Sequence, residues 1–276
     1  MEHYGRHPEA ELPPPAEISP QDIDDWREKI FQAWYSRPDV SPLTAVAEIM
    51  VENPVTEKER VFNLFCQAYL YAQRINVRKK RQTLKFLDER HSLEERRTFA
   101  VQDVAFQQAA ARFVAEEKNP EITKVFWDDF ADRLRQAGGS EFGVQAARRG
   151  ILSLNAATGA LRRHGFDVSW PSPEEDAYDK IDLHGEKDGE AYLFQLKCPA
   201  GNKEEDIRLV PADQWQTLYP EGGFLKDQED KFTTFLATRD SLAAASKRPV
   251  RAFVVVVPDP LARGKGTNEA EIPPEE

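Results

Sequence analysis

Apolar residues along the chain follow two rhythms. From 19 to 137 they recur every three or four positions, which predicts helices. Ser19–Pro20 is a helix start, and Ile23, Trp26, Ile30 and Trp34 follow at helical spacing. Ser41–Pro42 repeats the signal before Leu43, Val46 and Met50. Thr56 with Glu59, and Ser92 with Glu95, have capping-box spacing. They lead into Val61, Phe62, Phe65 and Tyr69, and into Phe99, Phe106 and Phe113. A last helix carries Ile122, Phe126, Phe130 and Leu134 and stops at Gly138–Gly139. Aromatic residues at this spacing predict a packed core rather than a cofactor box.

From 140 onward the period changes. "GILSLNAATGALRRH" (150–164) predicts a helix, and "GFDVSW" a short strand. "KIDLHGEKDGEAYLFQLKC" predicts a hairpin turning at Asp188–Gly189. An irregular stretch with Trp215 and Tyr219 precedes a helix over 226–247. "VRAFVVVVP" (250–258) is apolar throughout, as in an interior strand. The expected fold class is α+β. An N-terminal α-helical domain, 19–137, precedes an αβββαβ domain with a mixed central sheet, 140–260. Residues 1–18, rich in Pro and Glu, read as a flexible arm, and 261–276 as a disordered tail.

Composition narrows the setting. The 276 residues are 40% hydrophobic and 31% charged, enough to build a core. No apolar run approaches the ~20 residues that span a bilayer, and no basic-then-apolar leader opens the chain. Cys66 and Cys198 form no CxxC pair, so a reducing, cytoplasmic location is expected. A net charge of −11 argues against broad attraction to nucleic acid or an anionic membrane. Between Arg78 and Arg97, however, eight Lys or Arg face four Asp or Glu. That segment is either a solvated helix face or a phosphate-contacting patch of Arg78, Lys79, Lys80, Arg81, Arg96 and Arg97.

The hairpin carries the chemistry. Tyr192, Leu193, Phe194 and Leu196 call for a core, yet Lys197 sits among them. An ammonium buried without a partner is costly. Either this strand is an edge with one wet face, or something anionic or metallic lies opposite. If Ile181, Leu183, Phe194 and Leu196 share one core, alternation brings Asp182, Gln195 and Lys197 together on the other face. A carboxylate, an amide oxygen and an ammonium suit a hard cation and a phosphate. Asp182 would be a ligand for Mg²⁺ or Mn²⁺. Lys197 would orient or deprotonate an attacking water, or offset charge at the phosphate.

Asp182, a gap of 12 residues, then Gln195–Leu196–Lys197 resembles the PD-(D/E)xK nuclease superfamily, in the D…QxK form of Mrr-like restriction endonucleases. The likeness covers roughly 141–258, where the expected elements follow the superfamily's αβββαβ order. It implies a restriction endonuclease-like fold and metal-dependent hydrolysis of phosphodiester bonds, in DNA rather than RNA. Asp182 would be the metal-binding acid, Gln195 and the Leu196 backbone carbonyl further metal ligands, and Lys197 the catalytic lysine. Ile181 stands where a proline is usual, and the helix glutamate of many relatives falls on Leu154 or Asn155. Glu141 and Asp179 are the candidate additional acids, and His184 shares the Asp182 side of its strand by alternation. The missing glutamate leaves open an inactive nuclease-fold module that binds nucleic acid or protein. The helical half would present substrate or bind a protein partner, and cutting a duplex suggests a homodimer.

Overall fold

The structure, a computed structural model, describes residues 18–36, 40–83, 89–203, 206–218 and 226–262. At 42, 75–83, 89–96 and 226–228 it describes backbone only. The expected arm through 17 and the tail from 263 lie outside the described residues.

Helix starts follow their caps. In α1 (Pro20–Tyr35) the Ser19 hydroxyl accepts from the Asp22 N–H at 3.2 Å, and the Asp22 carboxylate accepts from the Ser19 N–H at 2.8 Å. After α2 (Pro42–Glu48), the same exchange between Thr56 and Glu59 opens α3 (Glu57–Thr83). α4 (Glu89–Glu116) departs from expectation by starting before Ser92, which leaves the Ser92–Glu95 pair inside the helix. α5 (Pro120–Gln136) follows. Contacts divide the chain into two compact units, 1–66 and 67–276, with the boundary inside α3. In the first, Ile23, Ile30, Val46 and Phe65 are buried and Trp26 packs on the rings of Phe62 and Phe65.

In the second unit, the rings of Tyr71, Phe106 and Phe130 pack tilted against one another among the helices, and Arg74 pairs with Asp103 at 2.8 Å. α6 (Glu141–Arg163) begins well before the expected helix at 150. Ser140 caps it, accepting from the Gly143 N–H at 3.2 Å, and Gly150 is absorbed in mid-helix. Then come β1 (Asp167–Ser169), α7 (Pro173–Asp179), β2 (Leu183–Lys187), β3 (Glu190–Lys197), β4 (Arg208–Pro211), a 3₁₀ turn (Ala212–Leu218), α8 (Lys226–Ser246) and β5 (Val250–Val256). Asp188 and Gly189 turn the β2–β3 hairpin with φ of 53° and 77°, the positive pair that an Asp-Gly turn favours. α7, β4 and the 3₁₀ turn were not expected.

The class is α+β, mostly helical, with a mixed five-stranded sheet in the C-terminal half, ordered β1-β2-β3-β5-β4. β1, β2 and β3 run antiparallel, and β5 lies parallel to β3 after the crossover through α8. β5 is interior, as its apolar run predicts. β3 is interior too, so Lys197 does not belong to an edge strand. One sheet face packs Leu193, Ala252, Val254 and Val256 against Phe232 and Phe235 of α8. The other carries the rings of Tyr192, Phe194 and Phe253, with Phe166 edge-on to the first two. Among the described residues, no helix is long and apolar enough to cross a membrane.

Candidate active site

The regular alternation expected of the first hairpin strand breaks at Asp182. Leu183 pairs with Phe194 in the ladder, yet the Asp182 N–H also reaches the Phe194 carbonyl, at 2.9 Å. Two residues thus face one, as in a β-bulge. As a result Ile181 joins the core against α8 with Leu193 and Phe232, whereas Leu183 lies across from Phe194 on the opposite face. The expectation that Ile181 and Leu183 share a core is therefore corrected. Asp182 lies in a bend just ahead of β2, and its carboxylate turns back to accept the backbone N–H of Leu196. Lys180, just before, holds left-handed backbone (φ 62°, ψ 35°) and donates its ammonium to the Ala177 carbonyl, closing α7.

Asp182 lines a cavity of about 320 Å³ with Leu196 and Cys198 of the hairpin, Gln108 of α4, Arg149 of α6 and Asp176 of α7. Asp176 is a second acid that sequence reasoning passed over. Burial pushes its carboxyl up to about 8, and the neighbouring Asp182 charge pushes the same way against Lys180 and a hydrogen bond from Gln108. Burial raises the Asp182 carboxyl as well. The Leu196 N–H and the charges of Lys197, Lys180 and Lys231 oppose the rise. Lys197 is half-buried, its ammonium 5.2 Å from the centre of the Phe232 ring. Burial lowers its pKa, the Asp182 charge resists, and Lys231 repels it. Lys180 is lowered by burial and by Lys231. Two aspartates and three lysines therefore act on one another at the open end of the hairpin, away from its turn.

The other expected residues divide. Gln195 is 4% exposed, and its Oε1 has no hydrogen-bond partner among the described residues. Asp179, at the end of α7, acts on Lys180. Glu141 is drawn away: exposed at the start of α6, it pairs with Arg135 at 2.9 Å and accepts from Gln145. His184 stands 3.7 Å from Glu175 and lines a different cavity, with Leu193 and Leu242. Leu154, one candidate position for the helix glutamate, does line the Asp182 cavity, but as an apolar side chain. Of the proposed basic patch, Arg97 is exposed on α4, whereas the side chains of Arg78, Lys79, Lys80, Arg81 and Arg96 lie outside the described residues. Cys198 directly follows Lys197. Burial and the Asp259 charge push its thiol up to about 12, and its Sγ lies 3.6 Å from the Pro258 carbonyl.

Ser172–Pro173–Glu174–Glu175 carried the signal that would have found Asp176. The Ser172 hydroxyl accepts from the Glu175 N–H at 3.2 Å and the Glu175 carboxylate from the Ser172 N–H at 2.8 Å, a capping box that opens α7. Lys180 and Lys231 carried no such signal. No protein-family model, curated protein or solved structure matches the chain.

Proposed function

We propose that this chain is a metal-dependent nuclease that hydrolyses phosphodiester bonds, a DNA endonuclease working through Asp182, Gln195 and Lys197, with Asp176 as a further acid. The observation that carries the reading is the seating of the Asp182 carboxylate on the backbone N–H of Leu196, between Gln195 and Lys197, at the open end of an interior hairpin. The order α6, β1, β2, β3, α8, β5 supports a restriction endonuclease-like core, with α7, β4 and the 3₁₀ turn as additions.

The donor chemistry fits the expected metal. Mg²⁺ takes oxygen ligands, commonly one or two carboxylates completed by water and substrate phosphate. Asp176 and Asp182 supply two mutually repelling carboxylates, and Gln195 Oε1 is a buried oxygen without a partner among the described residues. These groups, with the Leu196 carbonyl, would hold Mg²⁺ or Mn²⁺, which supplies Lewis-acid polarisation and a more acidic bound water. The chain supplies the rest. Lys197, its pKa lowered by burial, can take a proton at Nζ from the attacking water. Lys180 and Lys231 offset the charge that grows on the phosphoryl oxygens. The Phe232 ring beside Lys197 limits water around its ammonium.

One observation favours a second reading, a nuclease-fold module without turnover. Among the described residues, no three His, Cys, Asp or Glu gather where they could hold a metal. The deciding experiment incubates supercoiled plasmid and single-stranded circular DNA with the protein in Mg²⁺ or Mn²⁺. The nuclease reading expects metal-dependent cleavage that falls by about 100-fold or more in Asp182→Ala and in Lys197→Ala. A folded wild type that neither cuts DNA nor takes up Mn²⁺ by calorimetry would leave the binding module standing.

A further inference from the structure

A third cavity, about 590 Å³, is lined by Arg97, Ala100, Ala177, Tyr178 and Lys180. Tyr178 is 43% exposed, a large aromatic left uncovered on α7. The Arg97 guanidinium stands 6.0 Å from the centre of its ring. Lys180 belongs to this cavity and is also coupled to Asp176 and Asp182. α7 thus joins the two places: Asp176 lines the acid cavity and Tyr178, two residues on, lines the aromatic one.

From this arrangement we infer that the Tyr178 cavity binds an unpaired nucleotide of a single-stranded polynucleotide, the base stacking on Tyr178 and the flanking phosphates meeting Arg97 and Lys180. The inference rests on the nuclease reading for its account of the neighbouring site and names the substrate class of that site. An aromatic ring flanked by cations is the pattern that holds single strands without reading their sequence. A base can offer its face to Tyr178 only when it is out of a duplex stack. Lys180, shared by both places, puts the stacked nucleotide next to the phosphate to be cut. With a net charge of −11, long-range repulsion opposes DNA, so stacking has to carry much of the affinity. Two phosphate contacts give a weak salt dependence, a slope of about −1.4 in log K against log salt.

The test is anisotropy of a labelled 12-nucleotide oligo-thymidine, titrated with the full chain in chelator so that no cleavage intervenes. A duplex of equal length is the comparator. The expected result is single strand bound at least about tenfold tighter than duplex, and a loss of about 5- to 100-fold in Tyr178→Ala. Tyr178→Phe keeps the ring and should bind within about twofold of wild type. Unchanged thermal unfolding of Tyr178→Ala separates lost stacking from lost fold. Equal binding by Tyr178→Ala, tighter binding of duplex, or no binding of either overturns the inference. Chelated binding that depends on Tyr178, in a protein that never cuts, would defeat the nuclease reading and leave this one intact.

Discussion

At the scale of single residues, Asp176 and Asp182 determine what the site can accept. Two carboxylates lining one cavity compete for one proton unless a cation separates them. The sign of the pH effect follows. In the unfolded chain both titrate in the ordinary carboxylate range, whereas in the folded protein Asp176 holds its proton to about 8. Between roughly pH 4 and that value the folded state binds more protons, so this group's contribution to stability fades as pH rises. In chelator, Asp176→Asn should therefore unfold at a higher temperature than wild type at pH 8.5, with the gap closing towards pH 4. At this chain size each kcal/mol moves the midpoint by about 2–4 °C. A gap that widens in acid would refute the assignment. Cys198 offers a second check at this scale. With its thiol near 12 and Cys66 fully buried, neither cysteine should react with a thiol reagent at pH 8 until the protein is denatured.

At the scale of elements, the short α7 and the bulge before β2 do the positioning. Ser172→Ala removes the α7 cap and should cost about 0.5–2 kcal/mol in denaturant unfolding. Hydrogen exchange should quicken in α7 and leave the sheet protected. Gly185 is a second sensitive point, because a Cβ there would fall 2.7 Å from the buried Phe194 ring. Gly185→Ala should destabilise by about 1–3 kcal/mol through overpacking between β2 and β3. These elements also mark where sequence pattern was legible. The hairpin, its Asp-Gly turn and the interior β5 were readable because long apolar strands and a two-residue turn leave strong signals. α7 went unread because Ala177 is its only buried residue, so no apolar stripe announced it. β4 has four residues and a single buried position, too little to mark a strand. The bulge at Asp182 was hidden for another reason: Ile181 and Leu183 look like one face until the register shows them parting. Asp182, Gln195 and Lys197 could be picked out as a polar interruption of an apolar run, but Lys180, Lys231 and Asp176 reach Asp182 only through the fold.

At the scale of the whole molecule, the C-terminal half builds a mixed sheet beside which three lysines and two aspartates act on one another, in a chain of net charge −11. If the substrate is single-stranded, one site per chain suffices for a cut, and the expected homodimer is not required by the chemistry. On the proposed reading the labour divides: the aspartates would serve the metal and Lys197 the water. The most direct measurement is Lys197→Ala, assayed side by side for Mn²⁺ affinity by calorimetry and for single-turnover cleavage of single-stranded DNA. The expected result is affinity within about threefold of wild type and a cleavage rate lower by about 100-fold or more. Cleavage at the wild-type rate by the folded Lys197→Ala protein would contradict it.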